Sequence, residues 1–95
     1  MNDLSYEDEI RLLRNEINRI NFQIVEKIGE RVDVALRIAE VKRRSGRPIR
    51  DTNREEAVLD NVSRLGSERG LDPLSVRKVF REIIELCVRA EESVS

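Results

Sequence analysis

From about Tyr6 to about Arg44 the chain meets no break in a helical pattern: Ile10, Leu13, Ile17, Ile20, Ile24 and Ile28 recur at spacings of three and four, the period of one helix face. A helix of that span is roughly 58 Å long at 1.5 Å per residue. A compact domain of this chain length has a radius of gyration of only about 12–13 Å. Two shorter helices cannot cover such a rod. Its apolar stripe therefore calls for another chain, and an intertwined homodimer is the simplest arrangement. Taken alone, the first helix also fits a plain coiled coil.

The rest of the chain favours a closed helical bundle. Ser45-Gly46-Arg47-Pro48 and Gly70-Leu71-Asp72-Pro73 are the two breaks. Ser5, with Asp8 three residues on, can cap the first helix. Thr52 with Glu55 reads as a second capping box, followed by Val58, Leu59, Val62 and Leu65, with Gly70 suited to the position just past the helix end. Asp72 can cap a third helix with Pro73 in its first turn, and Val76, Val79, Phe80, Ile83, Ile84, Cys87, Val88 and Ala90 line its apolar face. The expected fold is all-α: one domain over residues 1–95, three helices with a very long first one, intertwined with a second copy. Ninety-five residues leave no room for a second core of any size.

Composition removes several classes of function. Nineteen acidic residues against 18 basic ones, interspersed, give no net field toward nucleic acid or a membrane surface. Tyr6, Phe22 and Phe80 are the only aromatic residues, which argues against base stacking. Without histidine, His-based acid–base catalysis and the commonest metal ligand are both missing. Cys87 is the single cysteine, so no disulfide can form within the chain, and a reducing compartment fits. The start, MNDLSYEDEI, has neither the basic end nor the apolar run of a signal peptide, and no segment is apolar for long enough to span a bilayer. A cytoplasmic protein without metal or cofactor is the expectation.

Charges then appear where apolar residues belong. The seam of the first helix covers about 80° of the helical wheel, and its register continues into Arg31, Ala35, Ile38 and Lys42. Arg14 sits at the seam's edge. Buried cations cost several kcal/mol unless paired. Arg31 and Lys42 can snorkel or pair with acidic residues of neighbouring helices, or they can line a pocket in the bundle that receives a small polyanion. Glu91, one turn after Cys87, repeats the ambiguity: it is either solvated at a fraying end or a carboxyl facing the same pocket. Asp51 and Glu55 read first as a cap and a capping-box acid. Cys87 reads as a small core residue. No nucleophile–base pair or phosphate loop is present, so an enzyme built from this chain works by electrostatics and shape.

At this point a resemblance enters. Arg47-Pro48-Ile49-Arg50-Asp51-Thr52-Asn53-Arg54-Glu55 resembles the RPVxDxxRE-like signature of the AroQ-class, all-helical chorismate mutases. Leu13-Arg14-Asn15-Glu16-Ile17-Asn18-Arg19-Ile20-Asn21 is similar to that family's LRxxIxxID opening, and Glu30-Arg31 and Val41-Lys42 fall at its spacings. The resemblance runs from about Leu12 to Glu91. It implies a cofactor-free isomerase that rearranges chorismate to prephenate, on the route to phenylalanine and tyrosine, in sites shared between two copies of the chain. Arg14 of one copy and Arg31 of the other would hold the two carboxylates. Lys42 would contact a carboxylate and the ether oxygen, with Glu91 as the second catalytic group there. Asp51 would help position the substrate, Glu55 would bind its ring hydroxyl, and Arg54 would stand behind the site. Cys87 occupies a position that is often a serine bonded to a carboxylate, and Glu91 one that is often glutamine and sometimes glutamate.

Geometry is compatible with the sharing. Arg14 and Arg31 are seventeen residues apart, about 25 Å along one helix, so one small dianion cannot touch both from the same chain. Two other functions stay open: an isochorismate–pyruvate lyase of the same fold, and a non-enzymatic helical dimerisation module.

Overall fold

The computed structural model describes residues 5–94; the leader-free start expected of the N-terminus falls in part on residues 1–4, outside that range. Helices make up all the regular structure among the described residues: α1 (Tyr6–Arg44), α2 (Thr52–Glu68) and α3 (Pro73–Ser93). This is the expected all-α, three-helix class with a long first helix. The chain falls into two compact units, up to Glu30 and from Arg31 onward, with the boundary inside α1.

Local chemistry explains where each helix starts and stops. The Asp8 amide donates to Ser5 Oγ at 3.2 Å, which caps α1. At its other end Arg47 N–H donates to Lys42 O (2.8 Å) and Gly46 N–H to Arg43 O (3.2 Å), with Gly46 at φ 64°. That pair of bonds is a Schellman stop, and it needs a left-handed residue between helix and loop. The same device ends α2, where Leu71 donates to Gly66 O and Gly70, at φ 84°, to Ser67 O. Asp72 caps α3 by accepting from the Ser75 amide at 3.0 Å, with Pro73 in the first turn.

The sequence offers both Asp51 and Thr52 as the cap of α2, and one of them is used. Asp51, not Thr52, is the N-cap of α2, accepting from the Arg54 amide at 3.0 Å. Glu55 does not reach back in a capping box; it pairs with Arg50. A carboxylate just ahead of a threonine takes the cap because it accepts more strongly and gains from the helix dipole.

In the unit from Arg31 onward, α2 packs on α3 around Leu59, fully buried, with Ile84 and Val88, flanked by Ile49, Val58 and Phe80. Gly66 sets how closely they approach: a Cβ there would lie 2.7 Å from Val76 Cγ2. Glycine in a helix interior costs about 1 kcal/mol relative to alanine, and the close contact offsets it. The Arg31–Arg44 stretch of α1 stands further off, with no Cα within 8 Å of α2 or α3. Side chains bridge that gap, and it is where the cavity lies. In the unit up to Glu30, the seam residues Leu13, Ile17, Ile20 and Ile24 are each 40–55% exposed. No helix among the described residues is long and apolar enough to cross a membrane.

Candidate active site

A cavity of about 280 Å³ opens between the three helical stretches of the second unit, near the size range of small-molecule pockets. From α1 it receives Arg31, Ala35, Ile38 and Lys42, which share one face at spacings of three and four. Ile49 and Asp51 enter from the loop, and Arg54, Glu55 and Val58 from α2. Ile84, Cys87, Val88 and Glu91 complete it from α3. Six of the seven residues singled out from the sequence thus border one cavity: Arg31, Lys42, Asp51, Glu55, Cys87 and Glu91. Arg14 belongs to the first unit, on an exposed surface with Tyr6, Ile10 and Arg11.

The cations are held by neutral acceptors. Arg31 Nη1 donates to Cys87 Sγ at 2.9 Å, and Lys42 Nζ donates to the Ile49 carbonyl at 2.6 Å. Neither forms an ion pair among the described residues, so pairing with acidic neighbours is not how their charge is accommodated here. The Ile49 carbonyl is within Lys42's reach because the Schellman stop folds the chain back across the last turn of α1. Both side chains are half-buried, and positive charge hydrogen-bonded to neutral groups remains available to an anion.

Glu91 faces them. It is only 7% exposed, and α3 continues past it to Ser93, so the solvated, frayed end does not occur. Burial raises its pKa above the usual carboxylate value; Lys42 and then Arg31 pull it back down, while Glu55 and Glu92 add to the rise. The carboxyl is thereby biased toward its neutral, hydrogen-bond-donating form.

Glu55 lines the cavity while its Oε1 accepts from Arg50 at 3.1 Å; Arg50 also reaches Glu85 Oε2 at 2.9 Å. Asp51 offers one oxygen to the cap and keeps the other. Arg54, expected behind the site, borders the cavity itself. The signal was in the spacing: Asp51, Arg54, Glu55 and Val58 occupy positions i, i+3, i+4 and i+7 of one helix face. Among the described residues no cluster of acidic, Cys or His side chains could hold a metal ion. The arrangement suits a small ligand with more than one negative charge and one buried polar centre near Glu91 and Lys42.

Comparison with known proteins points the same way. Residues 13–92 match the family described as chorismate mutase type II. The chain is 33% identical over 90 residues to the bifunctional chorismate mutase/prephenate dehydratase of Aquifex aeolicus, covering 92% of this chain and 25% of that protein. With the chorismate mutase of Methanocaldococcus jannaschii it shares 32% over 78 residues, 82% of this chain and 79% of the other. With the 4-amino-4-deoxychorismate mutase of Streptomyces venezuelae it shares 28% over 91 residues, 96% and 88% of the two. The chain spans about a quarter of the length of the bifunctional relatives. A match that takes in both the α1 register and the cavity's lining from all three helices leaves one assignment: the chain belongs to the type II chorismate mutase family.

Proposed function

We propose that the chain rearranges chorismate to prephenate, in phenylalanine and tyrosine biosynthesis, as a cytoplasmic homodimer with two shared sites, residues 1–95 serving as one mutase domain. The observation that carries this reading is the cavity in which Arg31 and Lys42, hydrogen-bonded to neutral acceptors, face the buried Glu91. The free thiol of Cys87 fits a reducing compartment. Open apolar residues along α1 support a second copy as the partner, and that copy would supply Arg14 to the cavity.

The reaction asks little covalent chemistry of a protein. One ether C–O bond breaks while a C–C bond forms, through a compact chair-like transition state, and no proton need move. Arg31 and the Arg14 of the second copy hold the two carboxylates, fixing the floppy dianion in its reactive conformer. Lys42 and neutral Glu91 donate to the ether oxygen as negative charge grows on it, a stabilisation larger in the transition state than in the ground state. Asp51 helps position the substrate, Glu55 accepts from the ring hydroxyl, and Cys87 supports the carboxylate end together with Arg31. Arg54 adds positive charge at the rim.

The test is turnover. Purified chain is assayed for loss of chorismate and appearance of prephenate, beside isochorismate with pyruvate measured, and beside the 4-amino-4-deoxy analogue that the Streptomyces relative's name suggests. Chorismate is expected to have the highest kcat/KM. Pyruvate release from isochorismate at a higher kcat/KM would replace the mutase reading with a lyase; no turnover of any of them would leave a dimerisation module.

A further inference from the structure

Arg50 does not line the cavity, yet it holds a residue that does. Its guanidinium donates through Nη1 to Glu55 Oε1 (3.1 Å) and through Nη2 to Glu85 Oε2 (2.9 Å), tying the loop before α2 to the first turn of α2 and to α3. Glu55 is half-buried, its side chain 18% exposed, whereas Arg50 and Glu85 are 41% and 36% exposed. A surface ion pair of this exposure adds little to stability. Its geometric effect is larger: two fixed points on one rigid fork set the orientation of the Glu55 carboxylate. With Oε1 taken by Arg50, Oε2 is the oxygen left to meet a ligand.

The charge consequence is separate from the geometric one. An unpaired carboxylate on the cavity wall attracts any cation. Paired with a guanidinium it still accepts a hydrogen bond, but its field at the next atom is largely cancelled. A neutral hydroxyl group meets the same acceptor either way. An ammonium group loses the carboxylate's attraction and meets the guanidinium's repulsion.

Building on the mutase reading, we infer that Arg50 is a positioning residue that sets substrate specificity: by bridging Glu55 and Glu85 it makes the cavity select a ring hydroxyl over a protonated ring amine. Arg50 touches neither Lys42 nor Glu91 at the reacting ether end, which Glu55 reaches only through its charge on Glu91. Arg50 therefore acts mainly on which ring substituent is accepted and little on the chemical step.

The test uses the full chain with chorismate and 4-amino-4-deoxychorismate, whose alkylamine is protonated at neutral pH, measured on wild type, Arg50→Gln, Arg50→Lys and Glu85→Gln. In Arg50→Gln, KM for chorismate should rise about fivefold with kcat nearly unchanged, and the amine-to-hydroxyl ratio of kcat/KM should rise about tenfold. Arg50→Lys, which restores the charge, should return the ratio to within about threefold of wild type. Glu85→Gln loosens the anchor and keeps the cation, so KM should rise for both substrates with the ratio unchanged. A ratio within twofold of wild type in Arg50→Gln, or a shift in Glu85→Gln as large as that in Arg50→Gln, overturns the inference. Should Arg50→Gln not fold, the other two variants decide: a tenfold ratio shift in Arg50→Lys also contradicts the charge argument. A wild-type chain inert toward both substrates overturns the functional reading, and this inference with it.

Discussion

The two stretches of α1 share one helical register and differ in what fills it. Up to Glu30 the stripe is aliphatic and open: Leu13, Ile17, Ile20 and Ile24 are 40–55% exposed. From Arg31 the same stripe carries Arg31 and Lys42 about a cavity, with Ala35 and Ala39 buried at 8% and 7%. An open aliphatic stripe is satisfied only by another apolar surface, since its burial releases water. A stripe interrupted by cations is satisfied by an anion. In the proposed function one helix thus has a packing end and a binding end, and the substitution of charge into an unbroken register marks the change.

The largest expected effect lies at the binding end. Lys42→Ala should lower kcat by about 10²-fold or more, as for loss of a preorganised donor, while the thermal midpoint moves little because, among the described residues, the ammonium's hydrogen bond goes to one carbonyl, that of Ile49. Kinetics and a thermal melt on the same sample check both halves; activity within tenfold of wild type would remove Lys42 from the chemistry.

Stability should distinguish packing from exposure. Leu59→Ala, at a fully buried position, should cost about 2–5 kcal/mol. Ile17 is 55% exposed within one chain, so in a monomer its truncation would cost almost nothing. In the proposed dimer Ile17→Ala should cost about 2–4 kcal/mol and make the midpoint more dependent on protein concentration. Denaturant titration at two concentrations reads this, and an Ile17→Ala curve that overlays wild type would mean that the stripe is not an interface.

The pH dependence should follow Glu91. Its pKa is raised by burial, so the working neutral form predominates below that pKa and is lost as pH climbs through it. Activity should be highest at acidic pH. By the same sign, stability from the neutral buried carboxyl is fully present below the unfolded-state pKa and declines as pH rises through the folded one. Glu91→Gln keeps a donor and cannot ionise; its profile should be flatter, with activity at about pH 8 above wild type. A flat wild-type profile unchanged by this substitution would remove Glu91 from the ether oxygen. Smallest of all, Cys87→Ser should lower KM by roughly threefold, the worth of one better hydrogen bond, with kcat unchanged.

Most of the fold could be read from apolar spacing and breaks, because α1, α2 and α3 each repeat at three and four between glycine–proline turns. The cavity was readable for a different reason: Arg31, Lys42 and Glu91 violate a register that their neighbours keep, and a violation is visible without coordinates. Three features were not. Asp51 and Thr52 both cap well, so which one ends the loop depends on backbone geometry. The resemblance implies that Arg54 stands behind the site; its spacing puts it on the face of Asp51, Glu55 and Val58, but whether that face meets the cavity depends on the placement of α2. The Arg50 bridge joins Glu55 to a Glu85 that lies 35 positions beyond Arg50, a separation that no local pattern encodes.

In the proposed dimer the packing end of one copy completes the binding end of another. This is tested by mixing Arg14→Ala with Lys42→Ala, each nearly inactive alone. A heterodimer of the two has one site carrying both substitutions and one carrying neither. Random exchange makes half the dimers mixed, so the mixture should recover about a quarter of wild-type activity. A mixture that stays at the level of its parents, while mass spectrometry shows the heterodimers present, would contradict the shared site.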